Sequence, residues 1–313
     1  MPGLPPARYA YLGPEGTFTE AALRTLPVAA KADLLAMATV PSALDAVRHG
    51  EADGAMVPLE NSVEGSVAVT LDALAVGEPL VIVREVVLPV SFAILTRAGV
   101  TAADIATIAT IPHAHAQVRG WLAANLPAAQ LIPTPSTADG ARAVAAGEAD
   151  AAVAAPIAAE RYGLSVLASD VHDVDGAQTR FVLAVRASGP PPPPTGSDRT
   201  SFVAFIADDH PGALLELLTE LAVRGVNLTR IESRPTGEGL GRYCFSIDCD
   251  GHIAEPRVGE ALAALRRTCL DVRFLGSYPR ADASGPSTPR RGTSEAEFRD
   301  AAAWVERLRR GPA

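Results

Sequence analysis

Short apolar runs alternate with amphipathic stretches through the first 185 or so residues, which predicts an α/β region. Residues 9–12, 33–38 and 55–59 read as strands, and helical spacing marks 17–26, 42–49 and 67–74. A faint repeat runs through this pattern. Gly50-Glu51-Ala52-Asp53 returns as Gly147-Glu148-Ala149-Asp150, each time closing a helical stretch ahead of an apolar strand. Two lobes of one design follow, with a cleft between them. The Val-rich run 80–95, broken at Pro89, is the outward crossing, and 176–185 is the return. Hinged lobes of this kind hold small ligands in their cleft.

The pattern changes after residue 188. Five prolines, Pro190 to Pro194, fit neither a helix nor a central strand, so 189–198 reads as a linker. Residues 199–279 then run strand, helix, strand, strand, helix, strand, which is the ferredoxin-like order. Beyond them, 280–313 is a polar, Pro/Gly-rich tail with one helix expected over 295–310. Thr293-Ser294 can cap that helix, its first turn is acidic and its last is basic.

Composition narrows the function. The chain has 313 residues, 48% of them hydrophobic, enough for two or three cores. No apolar stretch is long enough to span a membrane, and no secretion signal opens the chain, so a cytoplasmic protein is expected. A net charge of −9 argues against nucleic-acid binding and makes any anion site a local construction. Lys31 is the single lysine among 27 basic residues, so an individual arginine carries little information. Cys244, Cys249 and Cys269 lack metal or redox spacing and read as reduced thiols.

The candidate chemistry lies in three segments. Thr179-Arg180-Phe181 follows an Asp175-Gly176 turn and opens an apolar strand. Glu60-Asn61-Ser62, with Ser66, follows the third strand and precedes a helix whose N–H groups suit an anion. Gly13-Pro14-Glu15-Gly16-Thr17 makes a tight turn into the first helix, with Thr17 as the donor of interest. Read alone, Thr179 and Phe181 are also ordinary strand residues, and Ser62 and Ser66 are also ordinary caps.

Together and in this order these segments resemble prephenate dehydratase, across most of residues 9–185. The resemblance implies a periplasmic-binding-protein-like pair of lobes and catalysis by Thr179, Glu60 and Asn61. It places Thr17, Ser62, Ser66, Thr110, Gln117, Arg180 and Phe181 against the substrate, prephenate. Thr179 is expected to donate a hydrogen bond to the departing hydroxyl, and Glu60 to act as proton source in a cleft that raises its pKa. Arg180 is expected to aid an anion or to pair with an acid such as Asp175. No metal or organic cofactor is called for. The chain departs from the family pattern at Ile111, which stands where a histidine is usual. His113 and His115 are read as surface or helix-start residues.

The second module resembles an ACT domain, a sensor of amino acids. That likeness implies phenylalanine binding at Gly212, Ala213 and Leu214 and at Asn227, Leu228, Glu232, Ser233 and Arg234, across a subunit interface. A homodimer or homotetramer is therefore expected. With eight residues ahead of Tyr9, the expectation is a monofunctional dehydratase. Arogenate as substrate, and a two-lobed binder without catalysis, remain as rival readings.

Overall fold

The computed structural model describes residues 6–174, 176–206, 210–237, 242–282 and 291–311. The chain divides into two compact units, Met1–Thr70 with Val86–Ala184, and Leu71–Glu85 with Val185–Ala313.

The first sheet begins with β1 (Arg8–Leu12), β2 (Asp33–Met37), β3 (Gly54–Asn61), β4 (Gly65–Ser66) and β5 (Leu80–Pro89), interleaved with α1 (Phe18–Arg24), α2 (Val40–Arg48) and α3 (Ala68–Ala75). The second is built from β6 (Ala93–Thr96), β7 (Thr107–Thr110), β8 (Gln130–Pro133), β9 (Ala151–Ala154) and β10 (Ser165–Ala168). With it come α4 (Pro112–Gln117), α5 (Arg119–Asn125), α6 (Thr137–Ala146) and α7 (Ile157–Tyr162). β11 (Gln178–Arg186) then returns to the first sheet. Strand order is β2-β1-β3-β11-β5 in one sheet and β10-β6-β9-β7-β8 in the other; both are open.

The Gly-Glu-Ala-Asp repeat has a structural basis. Gly50 and Gly147 follow α2 and α6 with φ of +76° and +80°, which glycine adopts without a Cβ penalty. Each Asp then ties its lobe to a neighbouring strand. Asp53 accepts the N–H of Arg8, at the start of β1, at 2.8 Å. Asp150 accepts those of Ala106 and Thr107, at the start of β7, at 3.1 and 2.9 Å. β1 lies parallel to β3 as β7 does to β9, so the two lobes share one plan.

Two boundaries differ from expectation. β3 runs on through Glu60 and Asn61, and β4 folds back antiparallel, pairing Glu60 with Ser66. Those residues therefore stand on a strand, and a hairpin separates them from the helix. Glu60 and Asn61 extend the strand because the hairpin gives their backbone a partner, which the local pattern does not reveal.

The other difference is in the second unit. β12 (Asp198–Phe205) begins inside the expected linker, because buried Asp198 accepts the N–H groups of Thr195 and Gly196. α8 (Ala213–Ala222), β13 (Leu228–Pro235), β14 (Tyr243–Asp250), α9 (Pro256–Thr268) and β15 (Asp271–Pro279) complete an antiparallel sheet ordered β13-β14-β12-β15. α10 (Glu295–Arg310) follows. Phe202, Phe245, Ile247, Leu217 and Leu265 form the core beneath the two helices. The opposite sheet face is polar though buried: Arg230 meets Asp248 at 2.9 Å, and Ser201 joins Asp248 to Tyr278.

Residues 71–85 group with this unit through arginines. Arg234 forks onto Asp72 at 2.9 and 2.7 Å, Arg273 donates to the Gly77 carbonyl at 2.9 Å, and Arg199 pairs with Glu85. Among the described residues, no helix is long and apolar enough to cross a membrane.

Candidate active site

β3 and β11 are neighbours, and their ends carry the site. Ser62 fastens them: its N–H donates to the Gln178 carbonyl and its Oγ accepts the Gln178 N–H, both at 2.9 Å. Asn61 and Thr179, 118 residues apart in the chain, then meet. Asn61 Nδ2 donates to Thr179 Oγ1 at 2.9 Å.

The orientation of that amide is fixed from its other end. Asn61 Oδ1 accepts the backbone N–H groups of Val63 and Glu64 at 2.8 and 3.0 Å, an Asx turn that opens the β3–β4 hairpin. Only an amide oxygen can accept both, so the NH₂ must face Thr179. A hydroxyl that already accepts from an amide keeps its own proton to donate elsewhere. Thr179 is half-buried, so that proton is within reach of a ligand.

Glu60 and Arg180 form a second pair, with Arg180 Nη2 and Glu60 Oε2 3.1 Å apart. Successive strand residues point to opposite faces of a sheet. The Glu60–Arg180 pair therefore lies across the sheet from Asn61–Thr179, and Glu60 does not share the threonine's face. With Arg180 itself buried, the pair links β3 to β11 on that face, while buried Phe181 falls on the face of Thr179. Asp175, the other suggested partner of Arg180, lies outside the described residues.

The remaining candidates divide. Thr110 is fully buried and donates to the Val153 carbonyl at 2.8 Å, tying β7 to β9. Gln117 is half-buried at the end of α4, its carbonyl accepting the Asp173 N–H. Ser66 is half-buried in β4. His113 faces Glu64 at 3.5 Å.

Thr17 is the N-cap of α1, accepting the Glu20 N–H at 3.3 Å and donating to the Leu12 carbonyl at 3.0 Å. The turn ahead of it holds an internal anion. The carboxylate of Glu20, only 1% exposed, accepts the Gly16 N–H at 2.6 Å and pairs with Arg24 and Arg161. Burial alone would raise the Glu20 pKa; the Gly16 N–H and the two guanidinia outweigh it and hold it below the ordinary value.

That cluster joins the lobes. Arg161 lies on α7 of the second lobe, whose Tyr162 hydroxyl donates to the Glu15 carbonyl at 2.8 Å. Phe18 meets Phe92 edge-to-face with ring centroids 5.6 Å apart. Gly16, at φ +85°, leaves room for Ala158 and Tyr162, which a Cβ would approach to 3.1–3.2 Å. The Gly-Pro-Glu-Gly-Thr-Phe motif is thus a lobe joint. Glu20 escaped the sequence reading, although a Glu three residues after a Thr cap is a recognisable signal.

In the second unit, Gly212 is the N-cap of α8, and Ala213 is buried beside a cavity of about 120 Å³ lined also by His210, Glu216 and Cys269. Leu214 is exposed. Asn227 donates to Asp250 at 2.9 Å just ahead of edge strand β13, on which Leu228, Glu232 and Arg234 are half-buried and Ser233 is exposed.

Comparisons with known proteins identify the family. The prephenate dehydratase family model matches residues 9–188, and the ACT domain model matches 201–267. A prephenate dehydratase of Amycolatopsis methanolica is 56% identical over 97% of this chain and 99% of its own length. One from Mycobacterium ulcerans is 52% identical over 97% and 96% of the two chains. The crystal structure of the Arthrobacter aurescens prephenate dehydratase in complex with L-Phe superposes with a TM-score of 0.92, at 49% identity over 97% of this chain and 100% of that one. Matched over more than half its length by the family model and along almost all of it by these relatives, the chain belongs to the prephenate dehydratase family.

Proposed function

We propose that this protein converts prephenate to phenylpyruvate in phenylalanine biosynthesis, with residues 7–188 as the catalytic region and 199–279 as a phenylalanine-sensing ACT domain. In prephenate the ring carboxylate and the ring hydroxyl stand on opposite carbons. Breaking the carbon–carboxylate bond sends its electron pair into the ring, and the carbon–oxygen bond breaks at the far side. Carbon dioxide and water leave, and the ring becomes aromatic, which drives the reaction. A hydrogen bond steadies the departing oxygen as hydroxide, and a proton drawn from solvent completes the water.

The observation that carries this reading is the bond from Asn61 to Thr179. It leaves the threonine O–H directed outward as a donor, aimed at charge that develops only in the transition state. In this scheme Thr179 donates to the departing oxygen and Asn61 sets its direction. Glu60 and Arg180 hold the two strand ends in register from the other face. Ser62 and Thr17 are positioning residues, and Ser66, Thr110, Gln117 and Phe181 are proposed to shape the pocket.

Phenylalanine, the ligand of the Arthrobacter aurescens relative, is proposed as the effector here, bound by the ACT residues named above in a cytoplasmic homodimer or homotetramer. Inhibition requires that it favour one state of the enzyme over another. Following phenylpyruvate formed from prephenate, with and without phenylalanine, tests both parts. Turnover that phenylalanine lowers supports the reading. Absence of turnover overturns it, and faster turnover of arogenate in direct competition would reassign the substrate.

A further inference from the structure

α10 is a helix of 16 residues, about 24 Å long, whose apolar side beyond Phe298 is left exposed by the described residues. Its root is anchored: Thr293 is buried and lies against Gly225, and Phe298 is half-buried. From Arg299 to Arg310 every residue is exposed. Trp304 is 56% and Leu308 60% open to solvent. A helix this short gains little from its own hydrogen bonds in water and needs a packed face to persist.

The sequence of that face is specific. Phe298, Ala301, Val305 and Leu308 recur at spacings of three, four and three, the seam of a two-helix coiled coil. The spacing is symmetric about position 303. Turning a second copy end to end therefore sets Phe298 of one helix level with Leu308 of the other, and Ala301 level with Val305. Large then meets large at the ends and small meets branched at the centre.

Charge selects the same direction. The first turn carries Glu295 and Glu297, and the last carries Arg307, Arg309 and Arg310. An antiparallel pair lays each acidic end beside a basic end and opposes the helix dipoles. A parallel pair would crowd six arginine side chains at one end. We infer that α10 is an assembly element, pairing antiparallel with α10 of a second copy of this chain across a two-fold axis that crosses the seam at the level of Ala303. The inference is independent of the reaction assigned above.

Two measurements on the full-length protein test it. Light scattering coupled to size exclusion gives the assembly mass, and Leu308→Asp, at an exposed position, should halve it while leaving turnover of the smaller species measurable. Orientation is read by cysteine cross-linking in a Cys269→Ser background, where the other native thiols are buried. Ala302→Cys should form an intermolecular disulfide and Arg310→Cys should not. Unchanged mass in Leu308→Asp together with no cross-link from Ala302→Cys overturns the pairing and assigns the apolar face to another partner. Cross-linking through Arg310→Cys in preference to Ala302→Cys overturns the antiparallel arrangement.

Discussion

Asn61 Nδ2 donates to Thr179 Oγ1 at 2.9 Å, and the opposite end of the same amide is locked by two backbone N–H groups. A hydroxyl has one proton and has no preferred role by itself. Here the asparagine makes it an acceptor inward, which leaves it a donor outward.

Thr179→Val keeps the shape of the side chain and removes the donor. It should lower kcat by roughly 10²–10³-fold, the size of losing one oriented donor. Thr179→Ser retains the hydroxyl and should stay within about tenfold of the natural enzyme. Steady-state kinetics on prephenate read both, and near-normal turnover of Thr179→Val would remove the residue from the chemistry.

Glu60 offers a contrast. If it clamps strands from the other face, Glu60→Gln weakens one ion pair and should cost no more than about tenfold, on the order of 1 kcal/mol. The acid limb of the pH–rate profile should keep its position. A loss matching that of Thr179→Val, with the limb abolished, would restore Glu60 as the proton source.

The lobe joint should confer acid sensitivity. Because the folded-state pKa of Glu20 is depressed, its contribution is present above the ordinary carboxylate pKa and is lost as pH falls through the lower folded value. Glu20→Gln should lower stability at neutral pH by roughly 1–3 kcal/mol and flatten the acid side of the stability profile. Denaturant unfolding from pH 7 down to 3 measures this, and parallel profiles for the two proteins would refute it.

Arg234, expected from the family likeness to touch phenylalanine, has its guanidinium forked onto Asp72. Asp72→Asn weakens that fork without altering any proposed ligand of prephenate. Half-inhibition by phenylalanine should shift by about fivefold or more, while turnover without effector stays within twofold, as expected for a coupling term. An unchanged inhibition curve would leave the ion pair a purely structural role.

Much of this was legible in the sequence. The glycine–aspartate repeat announced two related lobes, because helix termination and strand anchoring each demand a specific residue type. The order of strands and helices in residues 199–279 announced the second sheet. What local pattern could not show were contacts between distant segments. Glu60 and Asn61 read as loop because their strand partner, the β3–β4 hairpin, is polar and lacks alternation. The turn ahead of Thr17 read as an anion platform, and its Gly16 N–H is met by a carboxylate of the chain itself, that of Glu20. Which face Glu60 takes depends on where β3 ends, the least readable feature of any element.

The dependence of Thr179 on Asn61 is tested most directly by introducing Thr179→Val into an Asn61→Asp background. Asn61→Asp keeps the oxygen that holds the Val63 and Glu64 N–H groups but replaces the NH₂ with an acceptor, drawing the threonine proton inward. Thr179→Val should then cost less than about threefold further in kcat, since the donor is already lost. A full loss of roughly 10²–10³-fold in that background would mean that the hydroxyl donates without direction from Asn61.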